Sequence, residues 1–142
     1  MRSPILLAVA LLAVAGCSAT TVPPPRTGDA AADPAALDAA AQAALAASCA
    51  PCHARSGAPP WYGRIAPSSW LSSARDVLDV DALRTEDPAR RAADLRALAA
   101  AVEDGSMPPG DYTLFDRGAR LSDDARQALV RWAEQGAARA MP

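Results

Sequence analysis

From Asp33 onward, apolar positions recur with a helical period, and clusters of glycine and proline interrupt them. Leu37, Ala41, Ala44, Leu45 and Ser48 share one face behind Asp33-Pro34, a pair that supplies an N-cap and then a proline at the first helical position. This predicts a helix running into Cys49. Between Ala54 and Pro67 the pattern is broken by Gly57, Pro59, Pro60, Gly63 and Pro67, which predicts a long loop carrying Trp61, Tyr62 and Ile65. Ser68 or Ser69 then caps a second helix through Trp70, Leu71, Val77 and Leu78. Asp87-Pro88 repeats the Asp-Pro start, and Leu95, Leu98, Ala99 and Val102 form an apolar face that stops at Gly105. The segment "SMPPGDYTLFDRGAR" reads as another loop. After it, Ser122 with Asp123 and Asp124 opens a last helix whose face is Ala125, Ala128, Leu129, Trp132, Ala133 and Gly136.

About four helices and two long loops therefore describe the segment 34–142, which is expected to be one all-α domain. Composition agrees: the 142 residues are 51% hydrophobic but only 4% aromatic, and alanine dominates over the β-branched residues that favour strands. Long loops in so short a chain usually wrap around something. Charge changes the picture by exclusion. The 14 cationic residues, all arginine, face 16 acidic ones, and both signs are dispersed without a basic stripe, so nucleic acid is not an expected partner.

The first 33 residues carry no such period. Arg2 precedes an apolar run from Pro4 to Gly16, too short to span a bilayer and suited to the apolar region of an export signal, so 1–16 reads as a signal peptide. Its end, Val14-Ala15-Gly16-Cys17, resembles a bacterial lipobox, which implies cleavage before Cys17 and lipid on its thiol and amino group. The competing reading is an A-x-A site at Ala13-Val14-Ala15, which would leave a soluble product with an unpaired thiol. The lipidated form is favoured, with 17–33 as a Pro/Thr/Ala-rich disordered tether to the periplasmic face of a membrane or the outer membrane.

The densest chemistry is "CAPCH", where Cys49, Cys52 and the chain's only histidine, His53, stand within five positions. C-x-x-C-H is the attachment signature of haem c: two thiols add across the vinyl groups and the adjacent histidine becomes an iron ligand. A thioredoxin-like pair would sit in a βαβ context, a structural zinc would need ligands that this chain lacks, and a plain disulfide suits two cysteines three apart at a helix end poorly. With no second histidine, the other axial ligand is methionine, water or something unusual. Met1 leaves with the signal and Met141 is penultimate, so Met107 is the candidate, stiffened by Pro108 and Pro109. Its bland alternative is a hydrophobic plug beneath a loop.

"CAPCH", then "PWYGRIAPSSWL" from Pro60 to Leu71, then "GSMPPGDYTLFDRGARLSDDARQALVRW" from Gly105 to Trp132 together resemble the bacterial haem-binding domain family of small c-type-cytochrome-like proteins. The resemblance implies a cytochrome c-like fold, one covalent haem c at Cys49 and Cys52, His53 as an axial iron ligand, and Met107 as the other. It also raises Trp61, Tyr62 and Trp70 as haem-edge or propionate contacts, against ordinary core packing. Tyr112 and Arg55 or Arg64 are further propionate candidates. The segment "DVLDVDALRTEDPARRAADL" departs from the family's pattern after the second helix. Trp132 and Leu129 are expected to pack the last helix on the first.

The expected function is a membrane-tethered monohaem cytochrome carrying single electrons between redox protein partners, with no substrate chemistry of its own. The alternative is a gas sensor or peroxidase-like protein whose sixth ligand is displaceable, against which stand the missing second histidine and the lack of an apparent acid-base group.

Overall fold

The computed structural model describes residues 33–57 and 68–141, and of these the side chains of all but 68–71. The expected signal peptide, Cys17 and most of the tether lie outside the described residues. So do Trp61 and Tyr62, and the side chain of Trp70.

The described residues are helical, with no strand among them. Helix α1 spans Pro34–Ala44, a π-helical turn covers Leu45–Cys49, and α2 covers Ala50–His53. They are followed by α3 at Ser68–Val77, a 3₁₀ turn at Ala82–Arg84, and α4 at Pro88–Glu103. A short α5 at Gly110–Phe115, a 3₁₀ turn at Arg117–Ala119, and α6 at Asp123–Ala140 complete the order.

The caps behave as the sequence requires. Asp33 accepts from the Ala35 N–H, Asp87 from those of Ala89 and Arg90, and Ser122 from that of Ala125. Each side chain satisfies a backbone donor that has no intrahelical partner. Two expectations need correction. The first helix does not stop at Cys49 but continues to His53 through the π turn. Pro51 has no N–H to donate to Ala47 and its ring would crowd that carbonyl, so the backbone widens just before it, and Ala50 N–H bonds Leu45 O instead. The segment 106–120, expected as loop, contains α5 and a 3₁₀ turn. Pro109 at the N-cap fixes the entry, and the Thr113 hydroxyl donates to Gly110 O at 3.0 Å.

The core lies where α4 and α6 pack together and α1 closes over α6. Leu95 and Leu129 are fully buried, joined by Leu98, Ala99, Val102, Ala133 and Ala137, and by Ala41, Ala44 and Leu45 from the first helix. Burial of a leucine contributes roughly 1.5–3 kcal/mol, so the leucines carry most of the stabilisation in a core whose remaining positions are mostly alanine. Small residues let α6 approach closely: a Cβ at Gly136 would lie 2.9 Å from Leu95 Cδ1. Trp132 is half-buried, and its indole N–H donates to Asp38 Oδ1 at 2.8 Å, tying the last helix to the first. The expected Leu129 and Trp132 contact is thus present. Val77, however, is 71% exposed and not part of the core.

Candidate functional site

An apolar cleft of about 220 Å³ opens on the side of α4 away from α6. It is bordered by Cys49, Cys52 and His53 from the first helical run, by Val77 and Leu78 at the end of α3, and by Met107, Pro108, Pro109 and Tyr112. The structure thus brings four of the sequence-predicted residues, Cys49, Cys52, His53 and Met107, to one place.

His53 is fixed on two sides. Its carbonyl accepts from the Val80 N–H at 3.1 Å, and its ring Nδ1 lies 3.0 Å from Leu78 O. A carbonyl can only accept, so Nδ1 is the donor in this contact, and in the neutral ring Nε2 is then the nitrogen with the lone pair. This is the tautomer that an Nε2 metal ligand requires, held by the kind of backbone contact that orients such ligands. Downstream, Asp81 takes the N–H groups of Arg55 and Ser56 at 2.8 and 2.7 Å. Those contacts, the Ser56 backbone first, hold the Asp81 carboxyl below its usual range despite the opposing effect of desolvation. The end of α2 is therefore stapled to the segment that follows α3.

The cysteines are not joined to each other. Burial first, and the neighbouring Cys52 second, push the Cys49 thiol up to about 11, so it is a neutral thiol at physiological pH. On the other border, Gly105 takes a left-handed φ of 77°, which turns the chain back after α4. Met107 N–H then bonds Ala101 O at 2.9 Å, and Asp104 accepts from Ser106 N–H at 2.8 Å. That contact lowers the Asp104 carboxyl, so the approach to Met107 is ordered by backbone bonds as well as by the two prolines. Met107 is 38% exposed, at the lip of the cleft. Met141 lies elsewhere, beside Arg96 at the end of α6.

Among the propionate candidates, Tyr112 borders the cleft, and its hydroxyl donates to Asp116 at 3.3 Å. Arg55 does not face it: its guanidinium is engaged by Asp79 at 2.8 Å and Asp76 at 3.0 Å. The acidic run "DVLDVD" captures that cation. Arg64 lies outside the described residues. Asp94 was missed by sequence reasoning. It is buried at the cleft wall and paired with Arg90 at 2.9 Å, one helical turn back. Desolvation, and then the charge of Asp94, raise the neighbouring Glu86 carboxyl. The i, i+4 spacing of Arg90 and Asp94 was a visible signal, but it reads equally as a solvated surface pair.

Taken together, an all-α scaffold presenting C-x-x-C-H and a methionine to one apolar cleft defines a haem-protein class. The family comparison carries this further: the model described as a haem-binding domain matches residues 10–135, and the chain belongs to that family. No curated protein and no solved structure matches the chain. The residues fit the group the family implies. The histidine tautomer is correct, a soft thioether borders the same cleft, and the lining between them is nearly all hydrocarbon.

Proposed function

We propose that this haem-binding protein is a membrane-anchored, monohaem c-type cytochrome that passes single electrons between exported redox partners. One observation carries the reading: Cys49, Cys52, His53 and Met107 border one apolar cleft, with His53 locked in the tautomer that leaves Nε2 free. Haem bound there supplies an iron that alternates between ferrous and ferric states. Cys49 and Cys52 would hold it through thioether bonds, and His53 Nε2 and the Met107 sulfur would bind its iron, where a thioether would favour a higher potential than a second nitrogen. Ala97, Leu98, Ala101 and Val102 keep water away, and the backbone bonds of His53 and Met107 limit ligand movement when the charge changes. Trp61, Tyr62 and Trp70 complete the haem contacts in this reading. Cys17 carries the lipid, and the segment after it tethers the domain at the periplasmic face of a membrane.

Covalency is tested by acid-acetone extraction of protein matured in a host with haem-attachment machinery. Haem stays with the wild type and is released from a Cys49→Ala, Cys52→Ala variant; release from the wild type overturns the c-type assignment. Cys17→Ala is expected to move the domain from the membrane to the soluble exported fraction, and retention in membranes would contradict the anchor.

A second reading rests on two observations. Met107 sits at the exposed lip of the cleft, and the Asp94–Arg90 pair brings a carboxylate to its wall. A displaceable methionine beside an acid-base group would suit a gas sensor or a peroxidase-like protein. Carbon monoxide separates the two, because only an open or easily opened iron site binds it.

A further inference from the structure

A second cavity, of about 300 Å³, lies between α1, the 3₁₀ turn at Ala82–Arg84, the start of α4 and the end of α6. It shares no lining residue with the haem cleft. Its wall has a different character: Arg84, Arg91 and Arg139 converge from three elements, with Asp38, Gln42 and Trp132 beside them.

The charge there is unbalanced. Asp38, the one carboxylate of the wall, accepts from the Trp132 indole at 2.8 Å and makes no ion pair with the arginines. The ion pairs among the described residues belong to Arg55 and Arg90, not to these three. Arg139 has only a long 3.5 Å contact to Gln135. Arg91 Nε is buried and has no hydrogen-bond partner. In a chain with net charge −2, three guanidiniums gathered around one carboxylate are not a consequence of overall composition. A guanidinium presents planar, paired donors that match the oxygens of phosphate and carboxylate.

We propose that this cavity is a binding site for a small dianionic oxyanion of the phosphate or dicarboxylate type, separate from the haem site. The anion accepts from the guanidinium groups of Arg91, Arg84 and Arg139 that line the cavity. Asp38, held by Trp132, offsets only part of the charge of the three arginines. The proposal does not depend on how haem is held.

The test is calorimetric titration of the haem-loaded full chain with inorganic phosphate and, separately, succinate, at constant ionic strength set with chloride. At least one dianion is expected to bind saturably with one-to-one stoichiometry. Loss of one charge-assisted contact in Arg91→Gln should weaken it by at least about tenfold. Arg84→Gln, on an exposed turn, should weaken it as well, and Arg96→Gln, outside the cavity wall, should not. Far-ultraviolet circular dichroism confirms that each variant is folded. Binding of both dianions no tighter than chloride, or unchanged affinity in folded Arg91→Gln and Arg84→Gln, would overturn the proposal.

Discussion

Helix α4 has two faces that differ in how their hydrocarbon is used. Leu95 and Ala99 are buried against α6 by the protein's own side chains, whereas Ala97 and Ala101 border the cleft together with Asp94. Leu98 and Val102 serve both sides. The α6 face is closed by small residues and joined by a side-chain hydrogen bond from the Arg126 guanidinium to Val102 O. The cleft face is instead framed by hydrogen bonds that fix two potential iron ligands, His53 through Leu78 and Val80, and Met107 through Ala101. A core needs only volume and periodicity, while a ligand site needs orientation, and the chain spends its polar contacts accordingly.

Substitutions should separate the two faces. The largest effect belongs to His53→Ala, which is expected to abolish the ferrous low-spin haem spectrum while far-ultraviolet circular dichroism stays helical. A variant that keeps a native spectrum would remove His53 from the iron. Leu95→Ala, on the opposite face, should cost about 2–5 kcal/mol in denaturant unfolding, because the rigid α4–α6 contact collapses poorly around a cavity. Cys49 and Cys52 should nevertheless remain haem-linked in molecules that fold.

Acid should act on the cleft frame. Asp81 and Asp104 have folded-state values below the ordinary 3.8, so the unfolded chain takes up protons first as pH falls. Their stabilisation is complete above that value and is lost as pH drops through the folded values. Hydrogen-exchange protection near Ser56 and Ser106, taken relative to the intrinsic exchange rate at each pH, should therefore fall below about pH 4, and Asp81→Asn and Asp104→Asn should remove that acid dependence at their own segments. The smallest effect is that of Trp132→Phe, which loses one exposed hydrogen bond to Asp38 and should cost about 1 kcal/mol by thermal unfolding.

Much of this was legible beforehand, for physical reasons. Asp33, Asp87 and Ser122 announce their helices because a cap is a local interaction, and the buried positions of α1, α4 and α6 follow from period alone. The C-x-x-C-H motif located one border of the cleft, and elimination among three methionines located the other. The π turn was not legible, because it arises from a conflict between Pro51 and a helix that the surrounding packing insists on continuing. Asp94 was hidden for a related reason: an i, i+4 pair with Arg90 looks like surface until the cleft beside it is known. Arg55 looked available for a propionate until the fold brought Asp76 and Asp79 to it across more than twenty residues.

The most direct test of the central claim is the visible spectrum of the purified holoprotein, ferric and ferrous, with and without carbon monoxide, alongside Met107→Ala. The account predicts that the wild type shows the far-red methionine-to-ferric band and ignores carbon monoxide, and that Met107→Ala loses the band and binds the gas. A wild type that lacks the band and binds carbon monoxide as readily as the variant would contradict it and leave Met107 as packing at the cleft lip.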